Sequence, residues 1–198
     1  MTKRIFIICF CCFSLFSCVE NRDLAKAKKA HQIPPVFLLL ENHVISWHQD
    51  SLFWNGKPFS GKAISLFING DTAIIQSYWE GLQEGVTRKW HPNKQLAEDR
   101  FYIKGKKEGR HRAWWSNGKP LFDFHVSNDE YQGELKEWNS AGLLVKQFHY
   151  VNGQETGSQR RWWDDSTVRA NYEIRNGRKY GLIGIKLCKN PYDSVNKK

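Results

Sequence analysis

Apolar and polar positions alternate in short runs along most of this chain. Between Leu144 and Tyr150, for example, Leu144, Lys146, Phe148 and Tyr150 fall on one side, and Val145, Gln147 and His149 fall on the other. A period of two belongs to a strand, whereas a helix repeats near 3.6. Turn-prone clusters separate the runs: Asn69-Gly70, Asn117-Gly118, Asn152-Gly153 and Asn176-Gly177, with His91-Pro92-Asn93-Lys94, Ser140-Ala141-Gly142 and Asp164-Asp165-Ser166 at equivalent places. Asn-Gly suits a type I′ hairpin turn, because both central residues must take positive φ. The predicted pattern is therefore strand, tight turn, strand, tight turn.

The pattern also repeats. Gly61, Gly85, Gly109, Gly133, Gly157 and Gly181 stand 24 residues apart. A fixed period of this length marks one supersecondary unit copied in tandem. Five residues after the glycine comes a Trp row, Trp90, Trp114, Trp138 and Trp162, with Leu66 and Lys186 at its ends. Seventeen after it come Tyr78, Tyr102, Val126, Tyr150 and Ile174, with Trp54 one unit upstream; fifteen after it, on the same face as that row, come Gln76, Arg100, Phe124, Phe148 and Tyr172. Five to six such units predict about a dozen antiparallel strands laid edge to edge. Arrays of this kind usually present a surface for binding.

The N-terminus follows a different pattern. Lys3 and Arg4 form a charged start, and Ile5 to Phe16 is an apolar stretch of secretory-signal length, too short to span a bilayer as a helix. Leu15-Phe16-Ser17-Cys18 follows and looks like a bacterial lipobox, in which the cysteine is lipidated and becomes the mature N-terminus. The expected organisation is a signal peptide over 1–17, a lipidated tether over 18–35 with Lys26, Lys28, Lys29 and Pro34-Pro35, N-terminal cap strands over 36–51, the repeat domain over 52–187 and a polar tail over 188–198. Cys9, Cys11 and Cys12 would leave with the signal peptide, so Cys18 and Cys188 are the cysteines of the mature chain and no disulfide is expected within the domain. The expected location is the bacterial cell envelope, lipid-anchored at the outer membrane or periplasmic face.

Gly109 to Lys119 (Gly-Arg-His-Arg-Ala-Trp-Trp-Ser-Asn-Gly-Lys) and Tyr150 to Gly157 (Tyr-Val-Asn-Gly-Gln-Glu-Thr-Gly) carry a resemblance to MORN-type repeats, closest to the variant of the bacterial YwqK-family antitoxin-like proteins. The resemblance covers about Leu52 to Gly184 and departs from the pattern at Leu66, Lys94, Asp129, Ser166 and Lys186. It implies an all-β fold: a single elongated, twisted antiparallel sheet of tandem β-hairpins. It brings no catalytic residues, and it attaches membrane association, scaffolding and toxin neutralisation to the family.

Charge adds a second row beside the Trp row. The formal net charge is +10, and losing Lys3 and Arg4 with the signal peptide leaves +8. Arg88, Arg112, Lys136 and Arg160 stand three residues after successive register glycines. Alternation puts them on the Trp face, with equivalents about 9 to 10 Å apart. Two readings stay open. The Trp rings can be structural, stacking between hairpins under Arg and Lys stems. Alternatively the strip binds an anionic, extended partner, and a line of one sign would create the field for it. The structural reading suits the Trp row better than the basic row. Export argues against nucleic acid. No cofactor, metal or catalytic set is expected: His125 and His149 are a unit apart, paired acids sit at turns, and no phosphate loop, His-Glu-x-x-His or Gly-x-Ser-x-Gly occurs. The expected function is non-enzymatic binding of another protein, of which toxin neutralisation is one form. The alternative is direct contact with anionic membrane or acidic glycan.

Overall fold

The computed structural model describes residues 30–41 and 44–184. The signal peptide, Cys18, the lysines of the tether, Lys186 and the tail with Cys188 lie outside the described residues. All regular structure described is β. In chain order the strands are β1 (Phe37–Leu39), β2 (Ile45–His48), β3 (Ser51–Trp54), β4 (Lys57–Pro58), β5 (Gly61–Leu66), β6 (Thr72–Trp79), β7 (Leu82–Trp90), β8 (Leu96–Ile103), β9 (Lys106–Lys107), β10 (Gly109–Trp114), β11 (Pro120–Ser127), β12 (Glu130–Trp138), β13 (Leu144–Val151), β14 (Gln154–Glu155), β15 (Gly157–Trp162), β16 (Val168–Arg175) and β17 (Arg178–Leu182).

Fourteen of these form one open sheet in the order β1-β5-β6-β7-β8-β10-β11-β12-β13-β15-β16-β17, with β9 beside β8 and β14 beside β13. From β5 onward every pairing is antiparallel and the order across the sheet follows the sequence, with the short β9 and β14 folding back on β8 and β13 before β10 and β15 take the next places. The exception is β1, which runs parallel to β5. Between these two the chain makes a separate three-stranded sheet, β2-β3-β4, and that excursion returns it pointing the same way. Strand β3 runs across the position where the sequence places the start of the repeats. It is tied to the large sheet by a hydrogen bond from the Leu52 amide to the Gly81 carbonyl, at 2.8 Å. Leu38, Leu52, Phe59, Ala63 and Tyr78 fill the junction.

Two kinds of turn alternate. At Asn152-Gly153 and Asn176-Gly177 both residues have positive φ, the type I′ geometry expected of them. At Asn69-Gly70 and Asn117-Gly118 the glycine alone is left-handed. The Gly70 amide bonds the Phe67 carbonyl, and the Phe67 amide bonds the Asp71 carbonyl, which is a type I turn closed by a bulge residue. The Asn69 side chain serves as a local acceptor for the Asp71 amide at 3.1 Å.

The register glycines also sit at irregularities. Pairing slips by a bulge between Gln76 and Tyr78 opposite Gly85, and between Phe124 and His125 opposite Gly133. Gly85 and Gly133 have φ of 79° and 70°, so the bulge itself explains why glycine stands there. The residue just before the register glycine fixes the neighbouring hairpin. Glu84 accepts from the Lys104 amide (2.6 Å), Glu108 from Asn128 (2.8 Å) and Gln132 from Asn152 (3.2 Å), while Ser60 does the same for Glu80. All four amides belong to left-handed turn residues that have no ladder partner of their own.

One face of the sheet holds the core. Along one line across the strands Ala63, Thr87, His111, Phe124, Leu135, Phe148, Gln159 and Tyr172 are buried, with Gln76 and Arg100 between the first three half-buried. Rings join along this side: Tyr102 on His111, His111 stacked on Phe124 at 5.5 Å, Phe124 on Tyr131, Tyr131 on Tyr150, and Phe148 on both Tyr150 and Tyr172. An isolated sheet has no second layer to cover it, so rings lying along the strands take that role.

Candidate interaction surface

The opposite face carries the candidate chemistry. Directly opposed partners trace one line across the sheet: Leu39, Ile64, Ile75, Arg88, Asp99, Arg112, Asp123, Lys136, Gln147, Arg160, Asn171 and Leu182. Directly opposed residues share a face with their Cβ atoms about 5 Å apart. Arg88, Arg112, Lys136 and Arg160 thus lie on one side, every second position of a single row.

The row is not of one sign. Asp99 sits between two arginines and receives both, with Arg88 Nε at 3.1 Å and Arg112 Nη2 at 2.9 Å. Asp123 takes both a guanidinium nitrogen and Nε of Arg110. Lys136 Nζ lies 2.6 Å from Glu134 on its own strand. The summed field is therefore weaker than four cations in line would give, and the centre of the face is an alternation of charge. The signal was present in the sequence: Asp99 and Asp123 lie fourteen residues after register glycines. It emerges only when the chain is folded back at the turn, which sets position three of the unit against position fourteen.

The Trp row flanks this line, each ring half-buried. Trp90 opposes Leu96, Trp114 opposes Pro120, Trp138 opposes Leu144 and Trp162 opposes Val168, each at an irregularity near the hairpin end. The Arg112 guanidinium lies 5.4 Å from the Trp114 ring centre, and Arg169 lies 4.3 Å from Trp163. Among the described residues no ring pair joins two members of the Trp row, which stand two strand spacings apart. The cross-hairpin ties at this end are polar. Trp115 Nε1 donates to the Trp138 carbonyl (3.0 Å), Asn93 to Ser116 (2.7 Å) and Asn117 to Ser140 (2.7 Å), and His91 Nε2 meets the Trp114 carbonyl at 2.8 Å.

Tyr78, Tyr102 and Tyr150 lie on the other face, with the core. Burial pushes the Tyr78 phenol up to about 12 and Tyr150 also to about 12, and it raises Tyr102. The aromatic residues singled out in the sequence are thus divided: tryptophans beside the charges, tyrosines behind them.

Shallow clefts open on the Arg and Trp face. One of about 290 Å³ is lined by Asp71, Ile75, Trp90, His91 and Lys94. Another of about 350 Å³ is lined by Glu134, Gln147, Phe148, His149, Ser158 and Arg160. Among the described residues no group of three or more His, Cys, Asp and Glu side chains is placed to hold a metal ion. No protein-family model and no curated protein matches the chain.

Proposed function

We propose that the hairpins are copies of one 24-residue MORN-type unit, and that the chain is a lipid-anchored envelope protein that binds another protein through its Arg and Trp face. The observation behind this reading is the alternating row Arg88, Asp99, Arg112, Asp123 beside half-buried tryptophans. Tryptophan and arginine are the residues in which protein interfaces are enriched, and fixed opposite charges select a partner by complementarity. A polyanion, whether a membrane surface or an acidic glycan, gains from cations in line. Here each of Arg88, Arg112 and Lys136 already holds an acid. Neutralisation of a toxin is one form such binding takes, as the family resemblance suggests.

Site-specific photo-cross-linking in the native envelope tests the reading. A photoreactive residue at Val86, exposed on this face, is expected to give one protein adduct of defined mass, and the same probe at the exposed Gln154 is expected to give none. Adducts with lipid or glycan in place of protein would overturn it. Mass spectrometry of the mature N-terminus tests the anchor: an acylated Cys18 is expected, and an N-terminus elsewhere would remove the anchor from the proposal.

A further inference from the structure

Within the charged row Arg160 differs from the cations before it. Arg88 and Arg112 face Asp99 and Asp123, whereas Arg160 faces Gln147 on one side and Asn171 on the other. Amides replace carboxylates at both flanking positions. Among the described residues no acid lies within ion-pair distance of Arg160. It lines the 350 Å³ cleft with Gln147, His149 and Ser158, all able to donate. The one acid there, Glu134, is engaged by Lys136 at 2.6 Å and by the Gln147 amide. Burial raises the Glu134 pKa, but the hydrogen bonds from Lys136 and Gln147 and the charges of Lys136 and His149 outweigh that and hold the carboxyl ionised. Glu134 and Lys136 cancel, which leaves the Arg160 guanidinium as the permanent open cation of the cleft.

We infer that this cleft is a subsite for a single carboxylate of the protein partner, held by the Arg160 guanidinium with Ser158 and the second N–H of the Gln147 amide, the one Glu134 does not take, as flanking donors; the inference rests on the protein-binding reading of this face. A planar fork flanked by amide donors matches a carboxylate, which it meets with two parallel hydrogen bonds. A single guanidinium balances the charge of a monoanion and leaves a phosphate dianion half-compensated. A polyanion would need further open cations along the row, but the next positions are the paired Lys136 on one side and Asn171 and Leu182 on the other. One open cation in the described row suits an Asp or Glu side chain within an otherwise complementary protein surface.

The test uses the full-length chain, ¹⁵N-labelled, with the side-chain N–H signals of Arg160 and Gln147 followed during titration with blocked triglutamate. Saturable shifts are expected, absent with triglutamine and with trigalacturonate. Arg160→Gln should weaken binding about tenfold or more, the scale of a charged hydrogen-bonded pair. Gln147→Asp, which gives Arg160 the internal acid that Arg88 has in Asp99, should weaken it to a similar degree, and Arg178→Gln, at an exposed position of β17 outside the row, should leave it unchanged. Thermal melts of each variant separate loss of the site from loss of the fold. No saturable shift at millimolar triglutamate would overturn the inference. So would equal response to triglutamine, a preference for trigalacturonate, or equal sensitivity to Arg178→Gln. If triglutamate binds through Arg160 while Val86 gives no protein adduct, the subsite stands and the protein-binding reading fails. If the adduct forms undiminished in Arg160→Gln and the peptide does not bind, the reading stands and the subsite fails.

Discussion

His111 is fully buried on the core face, stacked on Phe124, with one ring nitrogen 3.2 Å from the Glu108 carbonyl. Burial, reinforced by the charge of Arg100, pushes its pKa down from 6.5 to about 4. The unfolded chain therefore takes up a proton more readily than the folded one. The contribution of His111 is fully present above about pH 6.5 and is lost as the pH falls towards 4, for about 3 kcal/mol in all. Urea unfolding at pH 7.5 and at pH 4.5 should show this drop, and His111→Gln should flatten it. Backbone conformation gives a second expectation at this scale. Ser166 carries a φ of 67° at a bulge turn where Gly70, Gly118 and Gly142 serve elsewhere. Ser166→Gly should stabilise by about 1 kcal/mol, and Gly133→Ala, with open space around the added methyl but φ of 70°, should destabilise by about 1–2 kcal/mol. Shifts in the chemical-denaturation midpoint at unchanged slope would check both.

At the scale of the hairpin, the strands and turns were legible because alternation and Asn-Gly chemistry are local signals. What joins one hairpin to the next was not. The Glu84, Glu108 and Gln132 side chains reach turn amides 20 residues downstream. Nothing in a strand pattern marks an acid before a glycine as an acceptor for the following hairpin. Glu84 is the sharpest case, since its buried carboxylate holds both the Lys104 and the His31 amides. Glu84→Ala should cost about 2 kcal/mol, the scale of a hydrogen bond to a charged group, because the Lys104 turn amide loses its carboxylate acceptor. Amide exchange should then speed most at Lys104; exchange spread evenly over the sheet would count against a local role. Asp99 is also an inter-hairpin tie, but a more exposed one. Asp99→Asn should cost at most about 1 kcal/mol and lessen with added salt.

Across the whole molecule, the expectation of an antiparallel sheet held from β5 to β17 and did not extend to the N-terminal edge. The three apolar residues of β1 carry no mark of strand direction, and the return path through β2, β3 and β4 decides it. The Arg and Trp face was legible from spacing, while its compensating acids were hidden by reading each row down the repeats and not across the fold. An open sheet also has unequal ends. At the start Leu52, Phe59 and Tyr78 close a core against the small sheet, whereas every residue of β17 is exposed. Hydrogen exchange should rank β17 among the fastest strands and β6 among the slowest, and equal protection of the two would contradict the packing.

The His31 contact bears on mechanics. Its amide and ring both meet Glu84, and its imidazole lies flat on Trp79 at 4.7 Å. Tension arriving along the N-terminal segment reaches this clasp before it reaches any strand. Its release would free only the short stretch ahead of β1, about 20 Å when drawn straight. Opening of this clasp thus lengthens the chain by that short stretch alone before the load passes to the parallel pair of β1 and β5.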